Sequence, residues 1–287
     1  MRGLEKLCLG TVQFGLKYGI NNKIGLLSDD EIFQILDFSF QNGIIKLDSA
    51  DAYGSAIDMI GRYHRQSSNK FEINSKFTLS SRGLESVLEE SLIRLHVDRL
   101  HLYQFHDYGE FEKNPETHQQ VIALKKSQLI NQIGVSVYSN EEMMKLSGYD
   151  FIDVIQFPFN LLDNHSQRQK AMQLCIERGK TLHARSVFLQ GLFYKDFDEY
   201  PDKLRQLLPY TKKLIEISSK ANIPMSQLAL NYALQESDVD TVIIGVDSLA
   251  QLKENVENSL KLIPPSIMDE INKIHIKQNQ LLSPKNW

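Results

Sequence analysis

The feature that most constrains the fold of this chain is a repeated alternation of short apolar runs with longer amphipathic runs. Eight short runs are typical of buried strands, and they begin near Lys6, Ile44, Phe71, Leu100, Gln132, Ile152, Leu182 and Thr241. The runs between them carry apolar residues at helical spacing. Two of these begin with the Ser-x-x-Glu spacing of a capping box, at Ser28 and Ser139. Strands that alternate with helices predict a parallel sheet.

Eight strands followed by helices predict a closed α/β fold, the (β/α)8 TIM barrel, in which residues 1–287 form a single domain. The competing architecture is a doubly wound sheet, which usually carries a glycine fingerprint after its first strand. Here "LGTVQFGLKYG" lacks G-x-G-x-x-G. The region from Phe188 to Tyr210 is too long for a simple connection, so we expect a loop over one face of the barrel and an extra helix.

The net charge limits the kinds of partner that the protein is expected to bind, and the cysteine content indicates its cellular compartment. The net charge is −4, which gives no basic field for nucleic acid or an acidic membrane. No apolar run approaches the roughly 18 residues that span a bilayer. The two cysteines, Cys8 and Cys175, lie in an apolar run and a helical pattern, so we expect buried thiols in a reducing cytoplasm. The sequence predicts a cytoplasmic protein with no nucleic-acid or membrane partner, and it leaves the oligomeric state open.

Four polar residues follow the apolar cores of three consecutive predicted strands. The second strand is predicted to end in Asp48, with Tyr53 shortly after it, the third in Lys76 and the fourth in His106. Each has an ordinary structural explanation, such as a helix cap for Asp48 or a half-buried imidazole for His106. In a (β/α)8 barrel, however, catalytic groups lie at the carboxyl ends of the strands. We therefore expect the four side chains to meet at one mouth of the barrel.

The chemistry of these four residues suits carbonyl reduction. A free tyrosine has a pKa of about 10 and exchanges protons poorly near neutrality, whereas a nearby lysine ammonium favours the phenolate. An aspartate beside the lysine keeps that ammonium charged, and a histidine opposite can donate a hydrogen bond to a carbonyl oxygen. The set predicts a proton donor, Tyr53, next to an oxyanion site.

Seven segments resemble the aldo-keto reductase family, in the family's order and over nearly the whole chain. The segment "LDSADAYG" is similar to the family's Asp–x4–Tyr–Gly motif, "NSKF" to its lysine strand and "LYQFHD" to its histidine strand. The later segments "GVSVYS", "IQFPFN", "ARSVFLQGLF" and "VIIGVDSLAQLKENV" are similar to its cofactor-binding segments. Asp48, Tyr53, Lys76 and His106 match the catalytic tetrad of the family.

The resemblance implies an NADP or NAD cofactor, extended across the barrel mouth, and a small-molecule carbonyl or alcohol substrate. Ser136 and Gln156 match residues that hold the carboxamide, and Glu254 and Asn255 match the adenine end of the site. The cofactor-binding residues that the resemblance implies are Gly10, Thr11, Asp48, Ser136, Gln156, Arg185, Ser186, Gly191, Gly245, Asp247, Ser248, Gln251, Glu254 and Asn255.

The sequence departs from the family pattern at two of these positions. Arg185 stands where many members place an aromatic residue under the nicotinamide, and a guanidinium can also stack on a flat ring. Asp247 stands where many NADP-specific members carry basic residues after strand eight. A 2′-phosphate is normally matched by Arg or Lys. We therefore expect NAD(H) to bind at least competitively with NADP(H), although Lys253 lies nearby in sequence.

Two other functions compete with an NAD(P)-dependent oxidoreductase. One is a non-catalytic, nicotinamide-binding regulatory protein on the same scaffold. The other is a metal-dependent barrel hydrolase using His101, His106 and Asp107, but the two histidines are an odd number of residues apart on one strand and should face opposite sides. No metal site is predicted. The polar segment after His106, "DYGEFEKNPETH", is expected to be a short loop at an open mouth, and a sugar-type carbonyl is a possible substrate.

Overall fold

Eight parallel strands close into a barrel in the computed structural model of the protein, which describes residues 3–79, 83–277, 279–283 and 287. The strands are β1 (Leu7–Gly10), β2 (Lys46–Ala50), β3 (Glu72–Phe77), β4 (Leu100–Phe105), β5 (Ile130–Ser136), β6 (Val154–Pro158), β7 (Thr181–Arg185) and β8 (Thr241–Ile244). Each strand pairs with the next one in the chain, and β8 pairs with β1. The prediction of a (β/α)8 barrel is confirmed.

Helices surround the barrel and fill the connections between its strands. They are α1 (Asp29–Gln41), α2 (Ala56–Gln66), α3 (Leu84–Leu95), α4 (Tyr108–Lys113), α5 (Glu116–Lys126), α6 (Asn140–Ser147), α7 (His165–Glu177), α8 (Leu208–Ala221), α9 (Met225–Leu234), α10 (Leu249–Ser259) and α11 (Pro265–Asn272). Both predicted capping boxes form, at the starts of α1 and α6. No helix in the described part of the chain is long and apolar enough to span a bilayer.

The register of the strands directs alternate residues into the barrel. Gly10 pairs with Asp48, Ala50 with Lys76, and Lys76 with Gln104. Paired residues of neighbouring parallel strands share a face of the sheet, and so do residues two apart on one strand. Asp48, Lys76 and Gln104 therefore share one face, and all three are buried.

The region from Phe188 to Tyr210 folds as expected, as a loop over the barrel mouth with extra helical structure. It contains three 3-10 helices, Leu189–Tyr194, Phe197–Glu199 and Asp202–Leu207, followed directly by α8. Leu189, Leu192, Leu204 and Leu207 are buried. These apolar residues fix the region against the barrel.

The segment after β4 differs from the polar loop that we predicted. Asp107 accepts a hydrogen bond from the backbone N–H of Glu110 at 2.9 Å and so caps α4. Phe111 on this helix is 1% exposed and stacks on His118 at 4.3 Å between ring centroids. Tyr108 on the same helix is also buried, so two aromatic side chains in a polar segment fasten the helix to the core.

Candidate active site

Asp48 and Lys76 form an ion pair at the mouth of the barrel. The residues are 4% and 2% exposed, and Lys76 Nζ donates a hydrogen bond to Asp48 Oδ1. Burial acts to lower the pKa of Lys76, but the charge of Asp48, the neighbouring Tyr53 and the hydrogen bond outweigh it and raise that pKa. Lys76 therefore remains an ammonium ion at neutral pH.

Tyr53 lies on the turn after β2, beside this ion pair. Its backbone N–H donates to Ala50 O at 3.0 Å, and Lys76 Nζ lies 5.4 Å from the centroid of its ring. The turn packs tightly against Gly15, where a Cβ atom would lie 2.0 Å from Tyr53 O. A glycine is thus required at position 15 for the chain after β1 to approach this turn. The tyrosine is half-buried and lines a cavity.

His106 completes the predicted set of four from the end of β4. Its ring lies edge-on to Tyr53, with 6.1 Å between centroids and 85° between planes. Burial and the charge of Lys76 lower the pKa of His106 to about 4. The imidazole is therefore neutral at pH 7, so it can donate a hydrogen bond through one ring nitrogen without carrying a charge.

Two glutamines hold the second oxygen of the Asp48 carboxylate. Gln156 Nε2 donates to Asp48 Oδ2 at 2.8 Å from across the barrel, and Gln104 Nε2 donates to the same oxygen at 3.4 Å. The backbone of Asp48 is also held, because Thr11 donates both its N–H and its hydroxyl to Asp48 O. The role of Gln104 is not evident from the sequence, because a lone glutamine inside a strand carries no motif.

A cavity of about 950 Å³ opens at the carboxyl ends of the strands. All four predicted catalytic residues line it. It is also lined by every predicted cofactor-binding residue except Ser248, namely Gly10, Thr11, Asp48, Ser136, Gln156, Arg185, Ser186, Gly191, Gly245, Asp247, Gln251, Glu254 and Asn255. The Ser248 side chain instead accepts a hydrogen bond from Gln251 N and caps α10. A serine directly before the first residue of a helix commonly caps that helix.

The loop between β1 and α1 crosses the cavity, which the sequence analysis did not anticipate. Gln190 Nε2 donates to Tyr18 Oη at 2.9 Å, and Asn22 Nδ2 donates to Asp247 Oδ1 at 3.2 Å. The loop therefore bridges to the segments after β7 and β8. No local pattern in the sequence indicates where this loop would fold.

Arg185 lines the cavity from the end of β7 and stacks on a tyrosine. Its Cζ lies 4.3 Å from the centroid of the Tyr138 ring. Its guanidinium donates to Val137 O at 3.0 Å and makes longer bonds of 3.3 Å to the hydroxyls of Ser136 and Ser186. Arg185 thus holds a flat group against Ser136, one of the two residues predicted to contact the carboxamide.

The end of the cavity after β8 is acidic. Asp247 and Glu254 line it, and burial raises the pKa of Asp247 although hydrogen bonds from Gln251 and Gln13 oppose the shift. The described residues that line the cavity include only two lysines or arginines, Lys76 and Arg185, both at the catalytic end. Lys253 does not line the cavity, and its Nζ lies 5.7 Å from the ring centroid of Phe38 on α1.

The described residues include no group of three or more His, Cys, Asp or Glu side chains placed to hold a metal ion. Of the three residues considered for such a site, His106 and Asp107 line the cavity and His101 does not. His101 Nδ1 instead lies 3.7 Å from Glu72 Oε2.

Comparisons with known proteins identify the family of this chain. Residues 6–276 match the model of the aldo/keto reductase family. A D-threo-aldose 1-dehydrogenase from a Pseudomonas species is 22% identical over 314 residues, which cover 89% of this chain and 92% of that protein. The chloroplastic pyridoxal reductase of Arabidopsis thaliana is 24% identical over 267 residues, covering 79% and 72% of the two chains.

A solved structure shares the fold. The holo form of the aldo-keto reductase AKR11C1 from Bacillus halodurans superposes with a TM-score of 0.73 at 22% identity, covering 96% of this chain and 95% of that one. The family match extends over nearly the whole sequence and includes all four residues at the barrel mouth. The chain belongs to the aldo/keto reductase family.

Proposed function

We propose that this protein is an NAD(P)-dependent oxidoreductase that reduces an aldehyde or ketone to an alcohol, or catalyses the reverse reaction. The observation that carries the proposal is the position of Tyr53 beside the Lys76 ammonium and opposite the neutral imidazole of His106, at an open cavity. A proton donor next to a cation and a neutral hydrogen-bond donor suits a carbonyl oxygen that gains negative charge.

The residues of the cavity fit a nicotinamide cofactor. Gln156 Oε1 is buried without a hydrogen-bond partner, although Gln156 Nε2 is engaged with Asp48. A buried amide oxygen without a partner is costly, and the amide N–H of a nicotinamide carboxamide would satisfy it. Ser136 lies on the neighbouring strand, and Arg185 offers a flat group for the ring. These three residues would hold the nicotinamide end of the cofactor.

The bound cofactor would supply the hydride to the carbonyl carbon, and a side chain of the protein would donate the proton to the carbonyl oxygen. Tyr53 donates its phenolic proton to the carbonyl oxygen. Lys76 favours the phenolate that remains, and Asp48 keeps Lys76 charged and in place. His106 donates a hydrogen bond to the same oxygen and thereby orients the carbonyl group. In the oxidative direction Tyr53 accepts the alcohol proton instead.

The acidic end of the cavity favours NAD(H) over NADP(H). A 2′-phosphate adds negative charge near the adenosine ribose and is normally matched by Arg or Lys. The described lining residues in this region include Asp247 and Glu254, and the lysine and arginine of the cavity lie at the other end. We therefore propose that NAD(H) binds at least as tightly as NADP(H).

The substrate class follows from the polar character of the catalytic end. Tyr18, Asp107 and Tyr138 line the cavity near Tyr53 and His106, and they offer hydrogen bonds to a hydroxylated molecule. The D-threo-aldose 1-dehydrogenase among the relatives is named for such a substrate. We propose a small polar carbonyl compound, such as a sugar aldehyde, or the corresponding alcohol.

A substrate panel tests the proposal. The purified protein is incubated with NADH or NADPH and with aldehydes, ketones and sugars, and oxidation of the cofactor is followed by absorbance. The expected result is turnover of at least one polar carbonyl compound and its loss in Tyr53→Phe. Cofactor binding without turnover across the panel would indicate a non-catalytic relative instead.

A further inference from the structure

The interior of this barrel is polar at the level of Asp48. Interior layers of such barrels are built from alternate strands, and bulky branched residues dominate them. Here the even-numbered strands place Asp48, Gln104 and Gln156 in contact. Their exposed fractions are 4%, 0% and 0%. Burying three polar side chains in one layer costs hydration free energy, so we expect them to have a role that compensates for this cost.

Both glutamine amides are oriented by the carboxylate. Each Nε2 donates to Asp48 Oδ2, while Lys76 Nζ donates to Asp48 Oδ1. The opposite orientation of either amide would direct its oxygen at a carboxylate oxygen, which is repulsive. Asp48 therefore receives three donors, and Gln104 contributes one of them from β4, the strand that His106 directly follows.

Gln104 differs from Gln156 in its access to ligands. Both side chains are 0% exposed, but Gln156 lines the cavity and Gln104 does not. A bound cofactor or substrate can contact Gln156 and alter its bond to Asp48. The bond from Gln104 is shielded from such contact, so Gln104 can act on the reaction only through Asp48 and Lys76.

We propose that Gln104 is a positioning residue that fixes the Asp48 carboxylate and so tunes the charge that Lys76 and Tyr53 experience. The proposal deepens the carbonyl-reductase function given above and rests on it for its catalytic consequence. The positive end of the Gln104 amide dipole lies against Asp48 and partly offsets its charge. Without it, the potential at Lys76 and Tyr53 becomes more negative, and a more negative potential disfavours the phenolate.

Two substitutions separate this role from simple packing. Gln104→Leu removes the donor and keeps a similar volume. Gln104→Glu introduces a carboxyl group that can donate its own proton to Asp48 while it is neutral, but repels Asp48 once it ionises. Burial and the neighbouring carboxylate raise the pKa of the introduced group. Asn74→Leu is the matched control, because Asn74 is a buried amide of β3 whose Nδ2 interacts with Cys8 Sγ at 3.9 Å.

The first readout does not depend on turnover. The ionisation of Tyr53 is followed by tyrosinate absorbance, as the difference between each protein and the same protein carrying Tyr53→Phe. In Gln104→Leu this ionisation is expected to move to higher pH, and in Asn74→Leu it is expected to stay where it is in the unmodified protein. An unchanged titration in Gln104→Leu, or an equal shift in Asn74→Leu, overturns the proposal.

The second readout is catalytic. Gln104→Leu is expected to lower kcat by about fivefold to tenfold, the effect of losing one hydrogen bond of ordinary strength, because the bond is long, at 3.4 Å. The cofactor Kd is expected to stay within about twofold, because Gln104 lies outside the cavity. The kcat of Gln104→Glu is expected to be close to that of the unmodified protein at acidic pH and to decrease as the pH rises. Uniform loss by both variants at every pH, with the titration unchanged, means that Gln104 has only a packing role. A shifted titration in a protein that turns over no carbonyl compound supports the charge effect and refutes the proposed function.

Discussion

Gln156 on β6 donates a 2.8 Å hydrogen bond to Asp48 on β2, across the full width of the barrel. One residue thus connects the buried ion pair of Asp48 and Lys76 to the wall of the cavity where the cofactor carboxamide is proposed to bind. Its free Oε1 is available to that carboxamide. Cofactor binding and the position of Asp48 are therefore expected to be linked through a single amide.

Replacing Gln156 with leucine should weaken cofactor binding and catalysis together. The substitution removes the oxygen for the carboxamide and the shorter amide bond to Asp48, so we expect the Kd for the nicotinamide cofactor to rise about tenfold, the effect of one to two hydrogen bonds, and kcat to fall as well. Fluorescence titration and steady-state kinetics measure the two effects. Gln132→Leu on β5, which does not line the cavity, is the control. Unchanged cofactor affinity in Gln156→Leu would place the carboxamide elsewhere.

Removing Lys76 should destabilise the fold as well as the reaction. Lys76→Met leaves the Asp48 charge buried without its counter-charge, and breaking a buried ion pair in this way costs about 3–5 kcal/mol. Denaturant unfolding at neutral pH measures the loss. In the double variant Asp48→Asn/Lys76→Met no charge is left, so much of the stability is expected to return. A double variant as unstable as Lys76→Met would show that packing, rather than the unpaired charge, accounts for the loss.

His106 should make the folded protein less stable as the medium becomes acidic. Burial and Lys76 lower the pKa of His106 to about 4, from an ordinary value of 6.5. The unfolded chain therefore binds more protons than the folded protein between pH 6.5 and 4, so the free energy of unfolding increases with pH in this window. His106→Gln is expected to flatten this dependence in part, because His183 also has a lowered pKa. Denaturant unfolding across this pH window measures how steeply the free energy of unfolding depends on pH. An unchanged dependence in His106→Gln would mean that the pKa of His106 is not lowered in the folded protein.

The charge of Asp247 should determine the choice between NAD(H) and NADP(H). Two negative unit charges 4 Å apart repel by about 4 kcal/mol at an effective dielectric of 20, and water reduces that value because Asp247 is partly exposed. Asp247→Ser is expected to improve the affinity for NADP(H) relative to NAD(H) by about tenfold. Calorimetric titration of both cofactors measures the ratio. Glu257→Ser removes an equal charge from α10 outside the cavity and serves as the control. Much tighter NADP(H) binding by the unmodified protein, with no response to Asp247→Ser, would mean that Asp247 does not face the ribose.

The parts of the site that the sequence predicts are those fixed by the strands. Asp48, Lys76 and His106 follow strand cores that are readable from apolar runs, and the barrel geometry brings strand ends together at one mouth. The residues predicted at α10 came instead from the resemblance of the segment after β8 to the family, and of these Ser248 caps the helix and does not line the cavity. Strand order and the alternation of faces are therefore sufficient to predict that the side chains of Asp48, Lys76 and His106 line one cavity.

The parts that were missed depend on long-range contacts. Gln104 and Asn22 become informative only through their bonds to Asp48 and Asp247, which are 56 and 225 residues away in the chain. The helix α4 formed where a polar loop was expected, because the buried Tyr108 and Phe111 and the Asp107 cap outweigh the polar composition. No local pattern encodes such contacts.

The central claim is that Tyr53 is the proton donor to a carbonyl oxygen. The measurement that tests it most directly is the kcat/KM of Tyr53→Phe for the best carbonyl substrate. The cofactor Kd is measured on the same preparation. The account predicts a decrease of about 10²–10⁴-fold, the usual contribution of a general acid, with a Kd within about twofold of the unmodified protein. Tyr210→Phe removes a hydroxyl outside the cavity and should change neither value. Turnover by Tyr53→Phe at the rate of the unmodified protein would contradict the account.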